Sequence, residues 1–155
     1  MAGIVAAVTH RKLHVGCGTW IFADHVNLDR VPLPGVDVVH DLDVAPWPFE
    51  DASFGEVSGL QVFEHVAEPL TFINEAHRVL APGGVLFLTV PHWQSPNAYT
   101  DPTHRRFCTE RTFDYWITGT ALHDQMGAAY GPAVFSAAST VAVAAGDVHA
   151  RLVKP

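Results

Sequence analysis

The residues best suited to chemistry in this chain are a Gly-x-Gly turn and an acid that follows it. Gly16 and Gly18 close the short apolar run that begins at Leu13, and Asp29 ends the next apolar run. Glycines let backbone N–H groups approach a ligand without an intervening Cβ atom. An acid at the end of the following strand can accept hydrogen bonds from both hydroxyls of a ribose. The pattern therefore predicts a nucleoside-containing cofactor at the carboxyl edge of a parallel sheet.

A Gly-x-Gly turn also occurs as a simple connection that binds nothing. Ligand binding is favoured here because Asp29 and Asp41 each end an apolar run, and open α/β sheets bind ligands at their strand ends. Asp43 is interpreted as a solvated loop residue. Ile21 occupies the position of the last glycine in the dinucleotide pattern, which disfavours a nucleotide-dependent dehydrogenase.

A long polar segment, residues 92–107, follows the run that predicts the fifth strand. It should emerge at the same edge as the glycine turn, where loops on a rigid scaffold commonly carry function. His104 and His92 are candidate general bases, since imidazole titrates near neutral pH, and Asp101 is a third candidate catalytic residue. The alternative is that Asp101 and its neighbours form a turn that positions His104 structurally. A metal site formed by His92, Asp101 and His104 is possible by residue type, but no close pair such as His-x-x-x-His supports it, and no metal is predicted.

The composition describes one globular domain over residues 1–155, with a formal net charge of −7. An acidic chain without a basic face is a poor partner for nucleic acid. Cys17 and Cys108 are interpreted as free thiols in a reducing compartment. Residues 1–11 lack the pattern of a signal peptide, and no apolar run is long enough to span a membrane. We therefore expect a cytoplasmic protein that does not contact membranes.

The periodicity predicts strands separated by one clear helix. The predicted strands are residues 12–15, 25–28, 36–40, 56–62 and 85–90, and the helices are residues 68–80 and 109–116. Residues 133–144 and 149–153 are predicted to pair through a turn at Gly146-Asp147. The order predicts an α/β, Rossmann-like, mostly parallel sheet with an antiparallel C-terminal edge strand.

The first two connections are unusually short. Only residues 19–26 and 30–35 separate the first three strands, whereas a parallel crossover usually needs a dozen or more residues. We therefore expect reduced helices after the first two strands and a thinly covered sheet face. Trp20, Ile21 and Phe22 are expected to supply part of the cover.

The order of these motifs resembles the class I S-adenosylmethionine-dependent methyltransferases, of the small type 11 group. The resemblance covers roughly residues 12–117 and rests on the segments LHVGCG (13–18), NLD (27–29), DL (41–42), WPFEDASF (47–54), FEHV (63–66) and EAHRVLAPGG (75–84). It implies S-adenosylmethionine as cofactor and S-adenosylhomocysteine as product. Gly16, Cys17 and Gly18 would then line the methionine part of the cofactor, and Asp29 would bind the ribose.

The resemblance also implies a place for the remaining cofactor contacts. Asp41 and Leu42 would flank the adenine, and Gln61 would lie near the sulfonium with His65 close by. The family usually has an acid where this chain has His14.

Two hypotheses about function follow. The first is methyl transfer to an oxygen, nitrogen or carbon atom of a small-molecule or saccharide-like acceptor. The second is a methyltransferase fold that no longer transfers methyl groups and acts through protein partners. It is motivated by His14, by Trp20 in place of the third glycine of the turn, and by the short crossovers. A second copy of the chain could cover the thin sheet face, which would make the protein a homo-oligomer.

Overall fold

The computed structural model describes residues 11–155, so most of the segment tested above for a signal peptide lies outside the described residues. Seven strands form one sheet in the order β3-β2-β1-β4-β5-β7-β6. The strands are β1 (Arg11–Val15), β2 (His25–Asp29), β3 (Val38–Val39), β4 (Phe54–Leu60), β5 (Leu80–Pro91), β6 (Thr140–Ala144) and β7 (Asp147–Val153). The α-helices are α1 (Pro69–Val79), α2 (Asn97–Thr100) and α3 (Ala121–Met126), with 3₁₀ turns at Asp114–Trp116 and Gly127–Tyr130.

The direction of the strands confirms the predicted sheet. β1 pairs in parallel with both β2 and β4, and β5 is parallel to β4. β7 runs antiparallel between β5 and β6, so the terminal hairpin forms that edge. The chain moves outward from β1 through β2 to β3 and then returns to β4 on the other side. The carboxyl ends of β1 and β4 thus flank the topological switch point, where open α/β sheets bind ligands.

The connection between β1 and β2 contains turns and no helix, as its length predicts. Phe22 covers this part of the sheet by stacking on the ring of His14, with 4.4 Å between the ring centroids. Trp20 and Ile21 are both exposed. The expectation that Trp20 covers the sheet is wrong, because its side chain is 59% exposed. The histidine that replaces the family's usual acid is therefore buried beneath an aromatic side chain.

Helix α1 begins at Pro69, one residue into the predicted range, because a proline at the first helical position loses only an N–H that has no partner within the helix. Its apolar face buries Phe72, Ile73 and Val79. The helix ends at Val79, one residue before the predicted end, because Leu80 already pairs with Phe54 of the neighbouring strand.

The predicted helix over residues 109–116 is wrong. Only Asp114–Trp116 forms a 3₁₀ turn. The Thr109 hydroxyl accepts from the N–H of Arg111, and the Thr112 hydroxyl accepts from the N–H of Thr109. Such contacts also occur at the start of a helix. The backbone bonds beyond them join residues i and i+3, as from the N–H of Ile117 to the carbonyl of Asp114, so the segment forms tight turns and not an α-helix.

The terminal hairpin differs from its prediction in two respects. Its two-residue turn is Ala145-Gly146, one residue earlier than expected, with φ angles of 52° and 83°. Two left-handed residues match the twist of the flanking strands. Its first strand begins at Thr140, because residues 133–139 form a loop.

Two remaining sequence predictions concern the cysteines and membrane spans. Cys17 and Cys108 are buried free thiols. Within residues 11–155, no helix has the length and apolar character needed to cross a bilayer.

Candidate functional site

A cleft of about 550 Å³ opens at the carboxyl ends of the central parallel strands. This volume is typical of small-molecule and cofactor sites. It brings together most of the side chains predicted from the sequence: Gly16, Asp29, Asp41, Leu42, Gln61, His65 and His104. Arg30, His40, Val62 and Arg105 also line it and were given no role in the sequence analysis. Cys17, Gly18, His92 and Asp101 do not line it.

The glycine turn is built for close packing. Gly16 has a φ of +62°, and a Cβ atom there would lie 2.1 Å from Cγ2 of Val62. Gly18 is also left-handed, at +52°, but a Cβ atom there would meet open space. Cys17 between them is buried, and its N–H donates to the carbonyl of Leu28. The turn thereby joins the ends of β1, β2 and β4.

Asp29 is held rigidly at the end of β2. One carboxylate oxygen accepts from the N–H of Gly18 at 2.8 Å, and the other accepts from the N–H of Val31 at 2.9 Å. Each oxygen of a carboxylate can accept two hydrogen bonds. The cleft side of Asp29 therefore retains acceptor capacity for a pair of hydroxyl groups, which fits a ribose.

Asp41 and Asp43 have different surroundings. Asp41 is exposed in the cleft, and one of its oxygens accepts from the N–H of Asp43. The carboxylate of Asp43 accepts from the N–H groups of Ala67 and Glu68 at 3.0 and 2.9 Å, immediately before helix α1. Asp43 is therefore more than a solvated loop residue, because it ties its loop to the segment immediately ahead of helix α1.

Gln61 turns the chain sharply at the end of β4. Its φ is +54°, a left-handed conformation that costs a non-glycine residue of the order of 1 kcal/mol or more. Its side-chain amide donates to the Thr89 hydroxyl at 3.3 Å and to Asp147 at 3.2 Å. These bonds hold the strained residue at the switch point.

A hydrogen-bond chain fixes His65 at the cleft. Its Nδ1 lies 2.9 Å from the Thr103 hydroxyl, which donates to Asp101 at 2.7 Å. Because the hydroxyl hydrogen is committed to the carboxylate, the histidine Nδ1 must carry the donated proton. Asp101 also accepts from the N–H of Thr103, which holds the pKa of that carboxyl below its usual range. The structure therefore makes Asp101 the turn-forming residue of the alternative interpretation.

His104 packs against His65, with 4.6 Å between ring centroids. Its Nδ1 donates to the carbonyl of Ala98 at 2.9 Å, so Nε2 is the unprotonated nitrogen of the neutral ring. That nitrogen lies 4.0 Å from Oε1 of Glu64. Burial lowers the pKa of His65, which favours its neutral form.

Glu64 is the functional candidate that the sequence analysis missed. It is 1% exposed, and neither carboxylate oxygen has a hydrogen-bond partner within the described residues. Burial raises the pKa of Glu64 to about 7. The available signal was its place in the quoted Phe-Glu-His-Val segment, beside His65 and directly after the end of β4.

The structure does not bring His92 to the cleft. Its Nε2 faces Glu110 at 3.3 Å, and its N–H donates to the carbonyl of Gly146. The backbone of the adjacent residue, Trp93, pairs with Cys108. His92 therefore joins the start of the long polar segment to its end.

Comparison with known proteins points to one family. The methyltransferase domain model matches residues 23–88. A probable S-adenosylmethionine-dependent methyltransferase of Mycolicibacterium smegmatis is 34% identical over 108 residues, which is 66% of this chain and 42% of that protein. The chain thus spans less than half the length of the curated relatives it matches, which are covered over 42% and 27% of their length.

Solved structures share the fold. A Thermotoga maritima protein, described as a possible histamine N-methyltransferase, superposes with a TM-score of 0.66 at 18% identity, covering 94% of this chain and 82% of that one. A Bacillus halodurans protein, described as a putative methyltransferase, superposes with a TM-score of 0.62 at 17% identity, covering 95% of this chain and 94% of that one. These likenesses concern the arrangement of the sheet.

Proposed function

We propose that the chain, whose residues 23–88 match the methyltransferase domain model, is a class I S-adenosylmethionine-dependent methyltransferase. It transfers a methyl group to an oxygen, nitrogen or carbon atom of a small-molecule or saccharide-like acceptor. The cofactor, S-adenosylmethionine, supplies an electrophilic methyl group on its sulfonium. The observation that carries the proposal is the fixed carboxylate of Asp29 beside the glycine turn, at the switch point of the sheet.

We assign each proposed role from the position of the residue in the cleft. Asp29 accepts from the ribose hydroxyls, and Asp41 and Leu42 lie against the adenine. Gly16, at the end of β1, leaves room for the methionine part, and Gln61 borders the sulfonium from the end of β4. Aligning the nucleophile with the bond that breaks can itself supply roughly 7–11 kcal/mol in well-oriented cases.

The acceptor is proposed to enter beside His65 and His104, which line the opposite part of the cleft. Their Nε2 atoms are the proton-accepting nitrogens of the neutral rings, as the partners of Nδ1 require. An acceptor hydroxyl could therefore lose its proton to one of them. The net charge of −7 and the cleft volume both favour a small molecule over a polyanion.

Titration calorimetry with S-adenosylhomocysteine tests the cofactor site. We expect micromolar binding, weakened at least tenfold in Asp29→Asn. The matched control is Asp51→Asn, an exposed acid that bonds to Arg78 and does not line the cleft. Absence of binding to the folded wild-type chain would reject the proposal.

A second candidate function is a non-catalytic module that acts through protein partners. It is favoured by one observation, the lack of a helix after Gly18. A helix N-terminus there would present N–H groups to the methionine carboxylate. Absence of S-adenosylhomocysteine binding to the folded chain in the titration above would favour this second function.

A further inference from the structure

The side chains of Glu64, His65 and His104 converge at one wall of the cleft. Each offers one ligand atom, and these three atoms all lie within 4.8 Å of one another. We propose that they form a site for a divalent transition-metal ion of the zinc class, with an open coordination position toward the cleft.

The buried carboxylate of Glu64 carries the argument. A buried acid without a hydrogen-bond partner is costly, and such groups in proteins are normally paired or bound to a metal. The guanidinium of Arg106 lies near Glu64 but donates instead to the carbonyls of Phe63 and Val66. A cation at the convergence point would satisfy Glu64.

The two imidazoles are already in the state that a metal requires. Metal-bound histidines characteristically donate their other ring N–H to a carbonyl, carboxylate or hydroxyl group, which fixes the tautomer. His104 donates from Nδ1 to the carbonyl of Ala98, and His65 donates from Nδ1 to the Thr103 hydroxyl. Both rings therefore have Nε2 free to bind a metal.

The distances suit an ion of this class. Zinc binds imidazole nitrogen and carboxylate oxygen at about 2.0–2.2 Å, which puts tetrahedral ligands roughly 3.3 Å apart. The separation of 4.0 Å between Oε1 of Glu64 and Nε2 of His104 needs a contraction of less than an ångström. No pair of the three ligand atoms is more than 4.8 Å apart, so the widest pair needs at most roughly 1.5 Å, within reach of side-chain rotation. Two imidazoles and one carboxylate leave a fourth position open, as in catalytic zinc sites.

The position of the site is also informative. Glu64 and His65 directly follow the turn at the end of β4, and His104 comes from the segment after β5. The N–H of Arg105 donates to the carbonyl of Glu64 at 2.8 Å, which holds the two segments together. Because both imidazoles line the cleft, a bound ion would be accessible to the oxygen of an acceptor. The ion would then replace the free imidazoles in the role proposed above, since a metal-bound nitrogen cannot accept a proton, and would instead lower the pKa of the acceptor hydroxyl.

The test is calorimetric titration of the chelator-treated full chain with Zn²⁺, repeated with Co²⁺ and Mg²⁺ in the absence of cofactor. We expect one tight site per chain for Zn²⁺, and for Co²⁺ the visible absorption bands of a low-coordinate complex. Mg²⁺ should not bind there, because it prefers octahedral oxygen ligands. The readout is independent of methyl transfer, so this proposal and the proposed function can fail separately.

Three variants sharpen the test. Glu64→Gln and His104→Gln should weaken Zn²⁺ binding roughly 100-fold. The control, His92→Asn, alters a histidine paired with a glutamate but outside the cluster, and should bind as the wild type does. If Glu64→Gln does not fold, the partly exposed His65→Asn replaces it. Equal Zn²⁺ affinity in the wild type and the cluster variants, or no tight site in the wild type, would overturn the proposal.

Discussion

The carboxylate of Asp29 accepts a hydrogen bond from the backbone N–H of Gly18 at 2.8 Å, so the acid at the end of β2 shapes the glycine turn at the end of β1. The two sequence features that first indicated a nucleoside site are thus one structural unit. A change in either should alter both the turn and the proposed ribose contact.

The two left-handed glycines of the turn should differ in their tolerance of a side chain. Gly18→Ala is expected to cost about 1–2 kcal/mol of unfolding free energy, from backbone strain alone. Gly16→Ala adds a clash with Val62, so we expect a larger loss and weaker binding of S-adenosylhomocysteine. Urea unfolding and calorimetry measure the two effects. Gly16→Ala combined with Val62→Ala should recover part of the cofactor affinity; no recovery would argue against the clash as the cause.

Substitutions of Asp41 and Asp43, the two acids of the β3–β4 loop, should have separate effects on stability and on ligand binding. Asp43→Ala removes the acceptor for two N–H groups ahead of helix α1 and should cost about 1–2 kcal/mol of unfolding free energy. Asp41→Ala should change stability by less than about 0.5 kcal/mol but weaken binding of S-adenosylhomocysteine. Reversed outcomes for the two variants would show that the roles have been assigned wrongly.

Arg78 should resist even a conservative replacement. Its guanidinium donates to both oxygens of Glu75, to Asp51 and to the carbonyls of Trp47 and Phe49, joining helix α1 to the loop ahead of β4. Lysine cannot reproduce this planar array of donors. We expect Arg78→Lys to lower the unfolding free energy by roughly 2–3 kcal/mol. The matched control, Arg111→Lys, changes an exposed arginine in a single ion pair and should cost under about 0.5 kcal/mol.

His14 should make the fold sensitive to mild acid. Burial lowers the pKa of His14 because it disfavours the charged form of the imidazole. The unfolded chain therefore gains a proton near pH 6.5 that the folded chain resists, and stability falls as the pH decreases through that value. His14→Phe keeps the stacking on Phe22 and should remove this contribution.

The measurement is the difference in unfolding free energy between His14→Phe and the wild type at pH 7.5 and pH 5.5. It should move in favour of the variant by up to about 1 kcal/mol at the lower pH. His149→Gln, on the partly exposed strand β7, is the control. A difference that does not depend on pH would contradict the burial argument.

The sequence predicted the sheet because its signals are local. Apolar runs that end in glycine or an acid mark the strands around the cleft, and the short connections forbid full crossover helices. The helix prediction for residues 109–116 failed because the contacts of Thr109 and Thr112 resemble a helix start, but the backbone bonds that follow join residues i and i+3 and do not continue as an α-helix.

The site was predictable where its residues lie at strand ends, and less so where it depends on contacts across the fold. Gly16, Asp29 and Gln61 follow from their positions in the motif order. The convergence of Glu64 with His104 depends on how the segment after β5 folds back across the end of β4. No spacing in the sequence reports that distance.

The placement of β7 between β5 and β6 has a consequence for biosynthesis. β6 leaves the ribosome before β7 and cannot join the sheet until its inner neighbour arrives. Until β7 arrives, the backbone N–H and C=O groups along the outer edge of β5 are unpaired and could pair with another chain. The same strand carries Leu86, Leu88 and Val90, which are fully buried in the finished fold. The nascent chain therefore exposes an aggregation-prone strand edge until Asp147–Val153 has been translated, and binding to a chaperone protects it most in that interval.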